Sequence, residues 1–390
     1  RMLPLQRQFI RTARKHPRRF AMADANTSGI NFSGALTRAV LLARRLKSVW
    51  TGQRMVGLLL PPSVAGALTN WAALLCGKVP VNLNYTLSEE ALTSCFQQCE
   101  LKTILTSRVF VAKVKLKLPG NVIYLEDVMQ SLPSFGEKLA AFFCARFLPA
   151  AWLEKSLRDR SLLKEKTAQN RLDELATVIF SSGSTGEPKG VMLSHYNVGS
   201  NIEQLGQTFS FGCKDKVLGV LPFFHSFGFT GTLMLPGVLG IGAVYHANPL
   251  DAKTIGQLVA DHEVTFVLAT PTFLQIYMRG CTAEQFGSVR LVAVGAEKLP
   301  ERLATLFEDQ FGIRPFEAYG CTECSPAVTV NTHDYRAPGF RQVGAKRGKI
   351  GHPLPGVCVR IVDPATPTPD ATPLPLEQSG LLLVRGPNVM

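Results

Sequence analysis

Between Val217 and His246 the chain carries no charged side chain except its histidines. A run of that kind belongs in a bilayer or in the interior of a large fold. Pro222, Pro236 and glycines such as Gly219, Gly228 and Gly231 break any single lipid-facing helix, because each interruption frees backbone groups that lipid cannot satisfy. The run therefore reads as a buried strand, loop and helix. It needs a large body around it, and 390 residues with 46% hydrophobic and 18% charged side chains supply one. That length suits two or three domains, or one large one, with ample core.

The flanking pattern sets the fold class. Residues 1–50 read as helical, with Ser33 capping a helix over 34–47 whose Leu36, Val40, Ala43 and Leu46 share one face. Strands are expected at 55–60, 79–83, 103–107 and 121–125, with an apolar helix over 64–75. A further helix is opened by a capping box of Thr86 and Glu89. Beyond the charge-free run, helices at 252–262, 271–279 and 300–311 interleave with strands at 264–268, 289–294 and 315–319. A last strand at 380–385 follows a proline-rich loop at 366–373. Such alternation implies α/β architecture, with parallel sheets covered by helices on both faces. Residues 131–172 break the rhythm. The apolar stretch 139–153 is too short, and too interrupted by Arg146 and Pro149, to span a bilayer. It reads as a helical excursion packed on the body, or alternatively as a membrane-surface or acyl-chain-entrance element.

Ser181-Ser-Gly-Ser-Thr-Gly-Glu-Pro-Lys-Gly190 follows a short β-branched run at 175–180 and precedes a second apolar run at 191–195, with a polar helical pattern from about Asn197. Four hydroxyls, three glycines and one lysine offer many N–H donors and a cation, which suits phosphate oxygens. A flexible linker is the plainer reading, but Pro188 stiffens the turn before Lys189 and strand-like residues flank both sides. The spacing is not that of a Walker loop. In open α/β sheets ligands lie at the carboxyl ends of strands. The loops at 181–190, 295–298 and 319–323 are therefore expected to converge on one crevice.

Other features are weaker. His225 stands among aromatics in Leu221-Pro-Phe-Phe-His-Ser-Phe-Gly228, where a satisfied core histidine is as natural as a functional one. Nine scattered cysteines favour a reducing compartment, and Cys321-Thr-Glu-Cys324 reads as incidental small residues in a tight loop rather than a zinc or redox site. The net charge is +13, and six basic residues between Arg7 and Arg19 suggest a solvated helix face, an anionic membrane surface or an acidic partner. No nucleic-acid partner is expected, since no basic-aromatic platform or reading helix follows.

The loop Ser181–Gly190 resembles the phosphate loop of the adenylate-forming (acyl-CoA synthetase/luciferase) superfamily. Tyr319-Gly-Cys-Thr-Glu323 and Gly348-Lys-Ile-Gly-His-Pro-Leu-Pro-Gly356 resemble two later motifs of the same superfamily. Together with Leu221–Gly228, Gly295–Leu299, Tyr319–Pro326 and Arg385–Met390, they look most like the acyl-ACP synthetase part of bacterial bifunctional 2-acylglycerophosphoethanolamine acyltransferase/acyl-ACP synthetases. The implied reaction uses ATP and Mg²⁺. A fatty acid carboxylate attacks the α-phosphate, pyrophosphate leaves, and a phosphopantetheine thiol of acyl carrier protein, or of CoA in the alternative, takes the acyl group. A non-catalytic ATP- or acyl-binding module is the other alternative.

Carried over by motif, Ser181, Ser182, Gly183, Ser184, Thr185, Gly186 and Lys189 would hold the β- and γ-phosphates. Thr322 would contact the α-phosphate and Glu323 would bind Mg²⁺. Tyr319 with Gly320 would pack against adenine, Gly295, Ala296 and Glu297 would complete the adenine and acyl-pocket wall, and His225 would line the carboxylate side. The resemblance implies a large N-terminal domain of two doubly wound subdomains plus a partial β-barrel. The division expected is a first subdomain over 1–172 with a helical excursion at about 131–170, a second over 173–340, and a barrel-like segment over 341–390. The family's Thr-Gly-Asp motif and small C-terminal domain would lie beyond Met390, so this piece alone is expected to adenylate poorly. Arg1 ahead of Met2 is compatible with a cut from a longer chain, whose expected place is the cytoplasmic face of the bacterial inner membrane, with the piece itself soluble or peripheral.

Overall fold

The computed structural model describes residues 2–131, 133–159, 171–182 and 187–390. Its centre is a nine-stranded sheet in the order His352–Pro353, Ala327–Val330, Pro315–Gly320, Leu291–Val294, Phe266–Ala269, Lys216–Gly219, Gly242–Tyr245, Phe20–Asp24 and Thr27–Asn31. The strands from Pro315–Gly320 to Phe20–Asp24 run parallel, and antiparallel neighbours close both edges. A second sheet is four-stranded and parallel, in the order Val79–Asn82, Met55–Leu59, Thr103–Thr106 and Asn121–Tyr124.

Successive side chains of a strand point to opposite faces, and both faces of the large sheet are buried. Val217, Phe266, Leu268, Leu291 and Ala293 pack into the largest core, whereas Leu218, Val267, Val292 and Val294 pack into a second core on the other side. Double burial explains why these strands are continuous apolar runs without polar alternation. The charge-free run lies inside this arrangement as expected: strand Lys216–Gly219, buried helical turns over 226–239, and strand Gly242–Tyr245. Among the described residues no helix is long and apolar enough to cross a membrane.

Several expectations change. Residues 1–50 are not all helical, because Phe20–Asp24 and Thr27–Asn31 form a hairpin. The parallel partner Gly242–Tyr245 decides its conformation, and no local pattern reports that pairing. The helix that follows begins at Phe32, capped by Asn31 Oδ1 accepting from Gly34 N rather than by Ser33. Likewise Ser88, not Thr86, caps Glu89–Gln98, while Thr86 is engaged by Asn84 in the preceding turn. The basic N-terminal helix Leu5–Lys15 is only partly a solvated face. Arg7 is bound to buried Glu154 at 2.8 Å, and Arg14 donates to the carbonyl oxygens of Ala145 and Leu148 at 2.8 and 2.6 Å. Those bonds seat the excursion helices Phe135–Phe147 and Ala150–Leu157 on the body, with Ala141, Ala145, Leu153 and Leu157 buried beneath them. In keeping with the partial barrel expected, residues 341–390 contribute a two-stranded pair, Cys358–Val362 with Leu381–Arg385, and one short edge strand of the large sheet, and no closed barrel forms among the described residues.

The buried histidine is His195. Its Nδ1 accepts from Leu5 N at 3.3 Å, tying the first helix to the helix His195–Phe209, and burial lowers its pKa to about 4. An unfolded imidazole takes up its proton near the ordinary value of 6.5, so acidification from there favours the unfolded chain until the folded side chain also protonates. Stability is therefore expected to fall as pH drops from 7 to 5, with His195 contributing about 2 kcal/mol of that loss. His195→Gln, which keeps an acceptor, should flatten the pH dependence of the urea midpoint over that window. An unchanged pH slope would contradict this assignment.

Candidate functional site

Four loops leave the carboxyl ends of neighbouring strands in the large sheet. In register, Leu218 lies beside Val267, Ala269 beside Val294, and Val294 beside Glu317. The segments that follow these strands therefore emerge along one edge: 220–225, Thr270, 295–297 and 319–323. Gly295 N donates to Ala269 O at 3.1 Å, and Ala296 takes a left-handed φ of 70°, so this turn is held in a strained form at that edge. Ser226 Oγ lies 3.4 Å from Thr322 Oγ1 and joins the histidine loop to the 3₁₀ turn Thr322–Cys324. A Cβ on Gly320 would lie 2.1 Å from Pro326 O, so only glycine fits where the backbone doubles back.

The glycine-rich loop arrives from another direction. Leu175–Ser182 and Pro188–Ser194 form an antiparallel hairpin in which Ser181 is opposite Lys189. Opposed residues share a face of the ribbon, so the Ser181 hydroxyl and the exposed Lys189 ammonium are presented together. Thr177 Oγ1 donates to Pro80 O at 2.8 Å and Gln98 Nε2 to Pro188 O at 3.0 Å, which fastens the hairpin to the small sheet. Its second strand also packs beside Thr322–Cys324. Gly183, Ser184, Thr185, Gly186 and the side chain of Ser182 lie outside the described residues.

Thus the hairpin and the 319–323 turn are neighbours, and the 295–297 turn shares the latter's sheet edge. Tyr319, Ala296, Glu297 and Glu323 are all exposed. Burial raises the Tyr319 phenol above its ordinary value, so it stays neutral at physiological pH. His225 is exposed at the rim and is not a core residue; its Nδ1 accepts from Phe227 N at 3.3 Å, and desolvation by surrounding protein lowers its pKa. Cys321 and Cys324 share a hydrogen bond of 3.4 Å between their sulfurs, which lowers the first thiol and, with burial, raises the second.

Supporting residues escaped the sequence reading. Asn388 Nδ2 donates to Cys324 O at 2.8 Å and to Ala327 O at 3.0 Å, Met390 N donates to Glu323 O at 2.9 Å, and buried Asn201 exchanges two bonds with the Ala327 backbone. Asn197 in turn holds the Pro387 and Val389 carbonyls. For Asn197 and Asn201 the clue in sequence is asparagine within the helix His195–Phe209, costly where it is buried unless bonded, whereas Asn388 follows the last strand and carries no such clue.

A lysine, several hydroxyls and an outward carboxylate form a donor set of hard oxygen ligands and phosphate partners. Mg²⁺ characteristically takes one or two carboxylates plus substrate phosphates, and Glu323 fits that mode. Among the described residues no cluster of three or more His, Cys, Asp and Glu could cage a metal without such a substrate.

Comparison with known proteins places the chain in a family. The chain is 28% identical over 379 residues to a feruloyl-CoA synthase of Amycolatopsis sp, covering 96% of this chain and 70% of that protein. It is 25% identical over 352 residues to a long-chain-fatty-acid–CoA ligase of Yersinia pestis, covering 86% of this chain and 60% of the relative. A shorter match, 30% over 223 residues, joins it to the ligase of the same name from Escherichia coli O6:H1, covering 56% of this chain and 37% of that one. The chain thus spans less than two thirds of both long-chain ligases. ATP-bound MatB from Rhodopseudomonas palustris superposes with a TM-score of 0.73 at 25% identity over 99% of this chain and 71% of MatB. AMP-bound MenE from Bacillus subtilis gives 0.75 at 22% identity, covering 100% and 71% respectively, and shares the fold. The model of the family described as AMP-binding enzyme matches residues 9–390, and on that extent the chain belongs to this family.

Proposed function

We propose that this chain is the nucleotide-binding body of an acid–thiol ligase that activates a long-chain fatty acid as its acyl-adenylate. The observation that carries the reading is the meeting of two elements distant in sequence: the hairpin presenting Ser181 and Lys189, and the turn presenting Thr322 and Glu323. Attack of a carboxylate on the α-phosphate and departure of pyrophosphate both redistribute negative charge over phosphate oxygens, so fixed cations and hydroxyls do the work and no protein nucleophile is required. In this reading Lys189 and the loop hydroxyls 181–185 hold the β- and γ-phosphates, and Thr322 touches the α-phosphate. Glu323 holds Mg²⁺, which when bound neutralises phosphate charge. Tyr319 and Gly320 pack on adenine, Gly295, Ala296 and Glu297 complete the wall, and His225 lines the carboxylate side. The functional units are taken as 1–172, 173–340 and 341–390, although the hairpin at 20–31 joins the larger sheet.

The acceptor is a phosphopantetheine thiol. The motif match favours acyl carrier protein, with the acyl group passed on to a lysophospholipid; relatives named as CoA ligases support CoA instead. A lipid surface is the third partner. The excursion helices expose Phe135, Phe147 and Trp152 at 80%, 64% and 69%, beside exposed Lys138, Arg146 and Lys155. Their acids are engaged: Glu137 pairs with Arg45 at 3.3 Å, and Glu154 is buried between Arg7 and Arg171. Aromatic side chains under a basic rim suit an anionic bilayer.

Four measurements test this reading. Lys189→Ala should weaken ATP binding in calorimetry by at least about 10-fold, the loss of one charge-assisted phosphate contact; unaltered affinity would remove the loop from the site. In the longer protein, fatty-acid-dependent exchange of labelled pyrophosphate into ATP should be lost with the same substitution, whereas a non-catalytic module would show no exchange at all. Acyl transfer to carrier protein with none to CoA supports the first acceptor, and the reverse supports the second. Vesicles containing phosphatidylglycerol should retain the chain on flotation, and Phe147→Ser with Trp152→Ser should release it; equal retention on neutral vesicles, or by the variant, would count against the surface.

A further inference from the structure

Cys321 and Cys324 bracket the two residues that face the nucleotide, Thr322 and Glu323. Their sulfurs lie 3.4 Å apart. Cys324 N donates to Cys321 O at 3.0 Å, closing a turn that keeps the two Cα atoms within about 7 Å. Disulfides form across Cα separations of about 4.4–6.8 Å, so the backbone already has the required compactness. Access is asymmetric as well: Cys321 is exposed and Cys324 is buried behind it. An oxidant in solution meets the first thiol, and the second stands ready to resolve it. Cys95 and Cys99, the other close pair in sequence, are both buried and offer no such entry.

Closing the bond would move the site. A disulfide is about 2.0 Å long, so the sulfurs must approach by roughly 1.4 Å. The turn cannot follow as a rigid body, because it is fixed from outside. Cys321 N donates to Pro326 O at 3.0 Å, Cys324 O accepts from Asn388 at 2.8 Å, and Glu323 O accepts from Met390 N at 2.9 Å. Rotation about the two Cα–Cβ bonds supplies part of that approach, and the remainder falls on what those bonds leave free, the Thr322 backbone and the Thr322 and Glu323 side chains, and on the 3.4 Å contact of Thr322 with Ser226.

We propose that Cys321 and Cys324 form a dithiol modification site, oxidised reversibly by peroxides, whose closure displaces Thr322 and Glu323 and weakens nucleotide binding. The gating half rests on the functional reading given above. The chemistry balances. Hydrogen peroxide converts the Cys321 thiol to a sulfenic acid with release of one water, and the Cys324 sulfur then displaces the hydroxyl group, which leaves with the Cys324 proton as a second water. Two electrons pass from the sulfur pair to the peroxide bond. An external dithiol reverses the step by exchange.

The test uses the chain with Cys213 and Cys358, exposed elsewhere, replaced by serine. Mild hydrogen peroxide should lower its mass by about 2 Da and peptide mapping should place the bond between 321 and 324. ATP affinity should fall by roughly 10-fold and return with dithiothreitol, a change equal to one charge-assisted contact. Cys321→Ser on the same background should bind ATP as the reduced chain does and be indifferent to peroxide. Failure to form the 321–324 bond overturns the site. A mapped bond with unchanged affinity, in a chain that binds ATP when reduced, overturns the gate. A reduced chain that does not bind ATP overturns the gate together with the nucleotide reading, while the peptide map still decides the dithiol site.

Discussion

Asp215 fixes the amino edge of the large sheet, and the site at the opposite edge depends on that alignment. Its carboxylate receives Arg290 Nε and Nη2 at 2.9 and 2.7 Å and the Thr265 hydroxyl at 2.7 Å, while its carbonyl receives Gly242 N at 2.8 Å. These groups stand at the first residue of, or immediately before, the strands Lys216–Gly219, Gly242–Tyr245, Phe266–Ala269 and Leu291–Val294. A two-pronged arginine–carboxylate contact is geometrically specific, so the strands start in common register. Because they are parallel, they also finish together, and their loops emerge along one edge of the sheet. Removing Asp215 would leave Arg290 without its carboxylate partner and free the relative slide of the strands that carry 220–225, 295–297 and the neighbouring 319–323 turn.

The site edge is then finished by bonds that cross the chain. Asn201 and Asn388 converge on Ala327 O, and Asn388 also reaches Cys324 O. Gln98 and Thr177 hold the hairpin of the glycine-rich loop against the small sheet. Each is a neutral side chain satisfying a backbone group, an interaction worth about 1 kcal/mol when made and more when left unmade in a buried place. Their number matters less than their placement, since they orient the two elements on which phosphate chemistry would rest. Buried Lys78 serves a similar end in the smaller sheet, paired with Asp159 at 2.9 Å and with Gln53 O at 2.6 Å.

Much of this was legible in the sequence, for identifiable reasons. The helix over 64–75 was readable to the residue because Pro61, Pro62 and Gly77 punctuate a largely apolar run. The central strands were readable because double burial leaves them apolar, and the hairpin around the glycine-rich loop because apolar, strand-like runs flank it on both sides. What escaped was set by partners remote in sequence. The strand Phe20–Asp24 takes its shape from residues 242–245, and two caps shifted to Asn31 and Ser88 because several polar residues compete at each helix start. His225 could not be told from a core histidine by its neighbours; the buried one proved to be His195, anchored by Leu5 N. The thiol pair read as incidental until the turn brought its sulfurs to 3.4 Å.

The central claim is that the hairpin bearing Lys189 and the turn bearing Glu323 act on one bound nucleotide. A double-substitution cycle on ATP affinity in the presence of Mg²⁺, using Lys189→Ala, Glu323→Gln and the pair, tests it most directly. Groups that share a bound ligand should couple by more than about 0.5 kcal/mol, so the double variant should lose less or more than the sum of the singles. Strict additivity, with each single substitution lowering affinity on its own, would contradict a shared site.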